Sequence, residues 1–249
     1  HQKFPPAGWS VGNQLSWVTM ILPFMEQSAL ADQIDFKAPN YTGGAGTPAN
    51  NNRGIAVKPL KTLLCPSSKT VQNTNGGDNY WDPSGTVVPT YAMHYYGVMG
   101  PGRDALPLPR PTTANADFDP APTGHGGWCL DGILIRDRCR GFRDITDGTS
   151  NTFLLGEISW EMAGCYRNYV RGCYGSASAP AKNLTYGIKV QRYTSGNFND
   201  VSFGSQHPGG THFLIADGST SFISETVDMD LYRAAGTLDG GEPTTAISQ

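Results

Sequence analysis

The segment THFLIADGSTSFIS, residues 211–224, constrains this chain more than any other, because Asp-Gly between two β-compatible runs specifies an antiparallel reversal. A type I′ turn needs positive φ at both central positions, which Asp and Gly tolerate. With Asp217 and Gly218 as a two-residue loop, Ala216 faces Ser219, Ile215 faces Thr220, Leu214 faces Ser221 and Phe213 faces Phe222. That register sets Phe213, Phe222, Ile215 and Thr220 on one face, and His212, Leu214 and Ile223 on the other. Asp217 is then a turn residue with no chemical duty.

The rest of the chain fits the same style of folding. Its 249 residues include 31 Gly and 18 Pro with only 16% charged residues, which favours strands joined by loops over long surface helices. GILIRD (132–137), NTFLLGEIS (151–159) and YVRGCYG (169–175) read as strands, and IAVKPLKTLLCPSS reads as a short strand closed by Pro66. The best helix is NQLSWVTMILPFMEQSALADQIDF, where Trp17, Ile21, Leu22, Met25, Leu30 and Ile34 recur at helical spacing. Asn13 or Ser16 caps its start, and Pro23 kinks or splits it for want of a backbone donor. Residues 38–54, 73–90 and 100–127 read as long loops. A single head domain over 1–235, with a loop-like or flexible tail over 236–249, is the expected organisation.

Several function classes fall away. The net charge of −3 and the lack of any Lys/Arg cluster disfavour nucleic acid as a partner. No run of about 18 apolar residues occurs, so nothing in the sequence spans a bilayer as a helix. The first residue is His1 rather than Met, which sets up the expectation of a segment upstream.

The chemical motifs are weak. GWSVG (8–12) matches the G-x-S-x-G elbow around Ser10, but Pro5 and Pro6 stand where a buried strand should lead in. His207 and His212 are five apart across Pro-Gly-Gly, which forbids the helix that sets paired zinc-binding histidines on one face. The only third ligand nearby is Asp217, so the reading is histidines that hold backbone turns and no metal. In RDITDGTSNTFLLGE, Asp147 and Gly148 make a turn. Glu157 is either a buried carboxylate paired with His or Arg or, more commonly for such a position, a solvated strand end. Asp144 and Asp147 leave calcium open, without an EF-hand pattern. NYT (40–42) and NLT (183–185) match the glycosylation triplet.

Five cysteines are an odd number. Cys129 and Cys139 bracket nine residues, Cys165 and Cys173 bracket seven, and Cys65 stands apart. Two local disulfides with one cysteine left over fit an exported protein; five buried free thiols fit a cytosolic one. The spacing leaves the connectivity open.

Four blocks, FPPAGWS…NQLSWVTMILPFMEQSAL, LKTLLCPSS, FRDITDGTSNTFLLGE and SFGSQHPGGTHFLIADGSTSFIS, together resemble the bacterial pilin-like proteins of domain-of-unknown-function family 1559. Their H-x9-DG signature falls here on His207, Asp217 and Gly218. The resemblance implies an α+β, pilin- or pseudopilin-like fold, with an N-terminal helix packed on a C-terminal antiparallel sheet. It also implies a hydrophobic anchor helix upstream of this chain, carrying a cysteine that would pair with Cys65. The expected role is a non-enzymatic, exported structural subunit of the cell envelope or exterior, self-assembling into a homo-oligomer or pilus and touching membrane only through that missing helix. The alternatives are an extracellular module whose loop aromatics bind glycans or small solutes and, further off, a hydrolase using His207 or His212.

Overall fold

The computed structural model describes residues 2–41, 52–102, 118–119, 125–175, 177–194 and 196–241. In chain order the strands are β1 (Tyr80–Trp81), β2 (Val87–Val88), β3 (Tyr95–Gly100), β4 (Phe118–Asp119), β5 (Trp128–Cys129) and β6 (Phe153–Glu157). Then follow β7 (Cys173–Tyr174), β8 (Ala177–Ser178), β9 (Ala181–Asn183), β10 (Gly210–Ile215) and β11 (Thr220–Ser224). With short helices α1 (Trp17–Ile21), α2 (Ser28–Ala31) and α3 (Met229–Ala234), the arrangement is α+β.

One five-stranded sheet, ordered β11-β10-β6-β3-β9, organises the molecule. Its pairs are antiparallel except β3 with β9, which run parallel, so the sheet is mixed rather than wholly antiparallel. β3 and β9 have no counterpart in the sequence reading. Tyr96, Val98 and Met99 are all buried, and a strand covered on both faces shows no alternation to detect.

The hairpin forms, one residue out of the expected register. Leu214 faces Thr220, Phe213 faces Ser221 and His212 faces Phe222. The Gly218 amide donates to Ile215 O at 3.0 Å and the Ile215 amide to Ser219 O at 2.8 Å, so the loop holds three residues. Gly218 has φ +91° while Asp217 does not enter the left-handed region, as in a type I turn closed by a glycine bulge. Asp217 supports it by accepting from the Ser219 amide at 2.9 Å and hydroxyl at 2.6 Å. The slip turns Phe222 outward beside His212, with ring centroids 5.1 Å apart, and buries Ile223 instead. The space around Phe213 is already filled by Phe153, Phe203 and Tyr232, at centroid separations of 4.2, 5.2 and 5.9 Å. Gly156 permits that crowding: a Cβ there would lie 2.4 Å from Phe203 and 2.5 Å from Phe213. Tyr232 is delivered by α3, whose start is capped by the Asp228 carboxylate accepting from two amides.

Pro23 divides the N-terminal helical pattern. α1 has five residues, a 3-10 turn covers Leu22–Met25, Glu26 takes φ 58°, and the four-residue α2 follows. A long helix laid across the sheet is therefore not what these residues build. Ser16 precedes α1, but its hydroxyl donates to Tyr169 O instead of capping. Residues 52–57 and 61–63 are 3-10 turns rather than a strand, as the ring nitrogens of Pro59 and Pro66 cannot join a ladder. Residues 132–137 make only isolated bridges, and of 169–175 only Cys173–Tyr174 is a strand.

Residues 236–241 are packed against the head. Leu238 joins Ile133, Ile145 and Ala216 in a small second cluster, and the Gly240 and Gly241 amides donate to the Asp147 carboxylate at 2.7 and 2.9 Å. Residues 242–249 lie outside the described residues. Among the described residues no helix is long and apolar enough to cross a membrane.

Candidate functional site

The two ends of the H-x9-DG signature serve different places, because β10 runs between them. Asp217 and Gly218 close the hairpin at its far end. His207 sits before β10 in a turn that Ser205 holds, its hydroxyl donating to Gly210 O at 2.9 Å and accepting from the His207 amide at 3.1 Å. Lys189 donates to His207 O at 2.7 Å.

His207 faces Glu157, the last residue of β6. The strand register that sets Phe213 against Gly156 brings the start of β10 alongside this carboxylate. Glu157 is 2% exposed, which settles its two sequence readings in favour of the buried carboxylate. Its Oε1 accepts from Ser159 at 2.8 Å, and its Oε2 lies 4.0 Å from His207 Nε2 and 3.9 Å from His212 Nδ1. Thr211 contributes a long hydroxyl contact of 3.4 Å. Cys65 completes the group: its thiol, Glu157 and His207 offer donor atoms all within 4.8 Å of one another.

Cys65 reaches this place through His94. The Cys65 amide donates to His94 Nδ1 at 2.8 Å, so the proton sits on Nε2, which donates to Thr70 O at 2.7 Å. Burial is the main cause that lowers the His94 pKa, keeping the ring neutral for both bonds. The His94 amide in turn donates to Leu63 O at 2.9 Å. Sequence reading passed over His94, since its role depends on a partner 29 positions away.

A second polar site lies beside β7 and β8. A cavity of about 340 Å³ is lined by Asn75, His125, Arg167, Arg171, Tyr174 and Phe198 among others. Arg171 binds buried Asp78 at 2.7 Å, and Arg167 stacks 4.4 Å over the Phe198 ring. The Nε atoms of both arginines and Nδ1 of His125 are buried without hydrogen-bond partners. Desolvation, then the charges of Lys182, Arg171 and Arg167, lowers the His125 pKa. Lys182 is fully buried behind it, donating to Ser178 O at 2.9 Å and Phe198 O at 2.8 Å. YRNYVRG carried the two arginines in plain view, but their convergence depends on folding.

The remaining sequence candidates have structural duties. Ser10 lies on an exposed turn with its hydroxyl donating to Asp137. Asp144 accepts from the Gly141 amide at 2.7 Å, and Asp147 anchors the C-terminal segment, opposite Gly148 with φ +98°. Asn183 is buried, donating to Gly127 O and Asp200, so its triplet is closed to a glycan. Of the other triplet, Thr42 falls outside the described residues. Trp128 packs in the core under Arg136, 4.6 Å from its ring, while Trp81 is exposed.

The two local disulfides are not present: among the described residues, no pair of Cys65, Cys129, Cys139, Cys165 and Cys173 is bridged. The paired candidates point to separate neighbours. Cys129 approaches Asp131 at 3.7 Å, Cys173 approaches Ser178 at 3.9 Å, and Cys139 lies half-buried in an N-terminal groove. Burial pushes the Cys165 thiol up and the Cys173 thiol to about 12, which keeps both protonated.

A protein-family model described as a protein of unknown function, DUF1559, matches residues 1–230. No curated protein and no solved structure matches the chain.

Proposed function

Starting from the fact that this chain belongs to the DUF1559 family, we propose that it is the non-enzymatic head of an exported, pilin-like subunit that assembles with copies of itself. The observation that supports this reading is an apolar groove of about 800 Å³ along the N-terminal segment, lined by Phe4, Pro5, Pro6, Trp9, Ile21 and Phe24. Phe24 is 70% exposed, and Phe4 meets the exposed ring of Phe142 at 4.7 Å. Apolar surface of this extent suits contact between neighbouring subunits. The test is electron microscopy and sedimentation of the natural full-length protein. Filaments or discrete oligomers are expected, and Phe24→Asp should disperse them while leaving the fold intact. A full-length protein that stays monomeric at high concentration overturns the reading.

A second reading, a binding module for a small anionic solute, has its own observation. The Arg167 and Arg171 side chains, both paired with buried Asp78, line one cavity together with His125. A carboxylate or phosphate there would pair with the guanidinium groups. Thermal-shift screening with phosphate, citrate and acidic sugars should then raise Tm, and Arg167→Gln should abolish the rise. Unchanged Tm across that panel refutes it.

A further inference from the structure

We infer that Cys65, Glu157 and His207 form a binding site for a zinc-class divalent cation, with the His212 ring beside it. This goes beyond the assembly reading and does not depend on it. The donors come from three separate parts of the fold: the segment after the 3-10 turn at 61–63, the end of β6, and the start of β10 with the turn before it.

Three observations carry the inference. The first is spacing. Both imidazole nitrogens stand 3.9–4.0 Å from Glu157 Oε2, too far for a hydrogen bond. Donors sharing a tetrahedral zinc at bonds of about 2.0–2.3 Å stand roughly 3.3–3.6 Å apart. The Cys65, Glu157 and His207 atoms lie within 4.8 Å of one another, so small side-chain adjustments bring them to that separation.

The second is charge. Glu157 is buried, and its ion-pair contacts among the described residues are with the two histidines, both outside bonding distance. A carboxylate removed from water needs a compensating charge. A divalent cation between one carboxylate and one thiolate gives a neutral buried site.

The third is support around the donors. Ser159 donates to Glu157 Oε1 at 2.8 Å, Ser67 Oγ lies 3.0 Å from Cys65 Sγ, and His94 fixes the Cys65 backbone. Outer-shell partners of this kind orient ligands. One sulfur, one imidazole and one carboxylate select zinc-class ions over calcium or magnesium, which take oxygen donors. Donors brought from three separate segments would let the ion act as a clamp holding the Cys65 segment against the sheet.

The assignment also gives the signature histidine a task that Asp217 does not share. It competes with the expectation that Cys65 joins an upstream cysteine, since one sulfur cannot do both.

The experiment is a cobalt(II) titration of the tag-free, chelator-stripped 249-residue chain. Tetrahedral cobalt with a thiolate ligand should give visible d–d bands and a sulfur-to-metal charge-transfer band, saturating at one ion per chain. Zinc should displace it and, at about 100 times its Kd, raise Tm by roughly 5–10 °C. Cys65→Ser should remove the charge-transfer band. His207→Gln, at a partly exposed position where folding is not at stake, should weaken binding by more than the roughly 10–100-fold that loss of an outer-shell partner costs. His125→Gln, in the other cavity, should bind as wild type. Absence of the thiolate band, or a band that survives both Cys65→Ser and His207→Gln, overturns the inference.

Discussion

Raising the pH from about 7 to about 9 should stabilise this protein through one side chain, Lys182. Its ammonium is fully buried, held by the Ser178 and Phe198 carbonyls and lying 3.4 Å over the Phe198 ring. Desolvation is the main cause that lowers its pKa from 10.5 to about 7. Between those values the unfolded chain binds a proton that the folded chain has released, so unfolding becomes harder as pH rises. Below about pH 7 both states carry the proton, and the burial penalty stands in full. For a single group with these two pKa values, linkage gives a gain of about 2 kcal/mol between pH 7 and 9. Buried tyrosines and the Cys165 and Cys173 thiols, all raised by burial, oppose the gain at the alkaline end. The assay is therefore a difference: guanidinium unfolding of wild type and Lys182→Met at several pH values and one ionic strength. Lys182→Met strips the two carbonyls of their donor, a cost of roughly 1–3 kcal/mol that does not vary with pH. Wild type should gain about 2 kcal/mol on the variant from pH 7 to 9. Stability curves that stay parallel to within about 0.5 kcal/mol would show that Lys182 keeps its proton in the folded state.

Two more expectations follow from packing. Thiol titration of the native chain should modify Cys139 first and fastest, and denaturant without reductant should release all five thiols; fewer than five would restore a disulfide. Gly156→Ala should cost about 1–3 kcal/mol in denaturant unfolding, because its methyl would lie 2.4 Å from Phe203. A variant as stable as wild type would mean that the aromatic cluster can open without penalty.

Parts of this molecule were legible where the signal is local. The Asp217-Gly218 reversal, the strand within 151–159 and the interruption at Pro23 each depend on a few adjacent residues and the backbone they can adopt. The hairpin register was misread because two- and three-residue loops share the same Asp-Gly signal. Which face of β11 is buried was decided by how much room Phe153, Phe203 and Tyr232 leave beside Phe213. Strands β3 and β9 escaped notice since burial on both faces erases alternation.

The candidate sites lie further from what a sequence can declare. His207 and His212 were visible as a pair lacking a third ligand, and the only neighbour in sequence, Asp217, belongs to the turn. Glu157 and Cys65 arrive from 50 and 142 positions before His207, through strand pairing and through His94. The sequence alone determined where the chain reverses, where its helix breaks and that it carries the family's signature, because those follow from short-range backbone preferences. Tertiary structure decided which thiols stay free, which charges are buried and which donors meet, because proximity across a sheet is set by register and packing rather than by order along the chain.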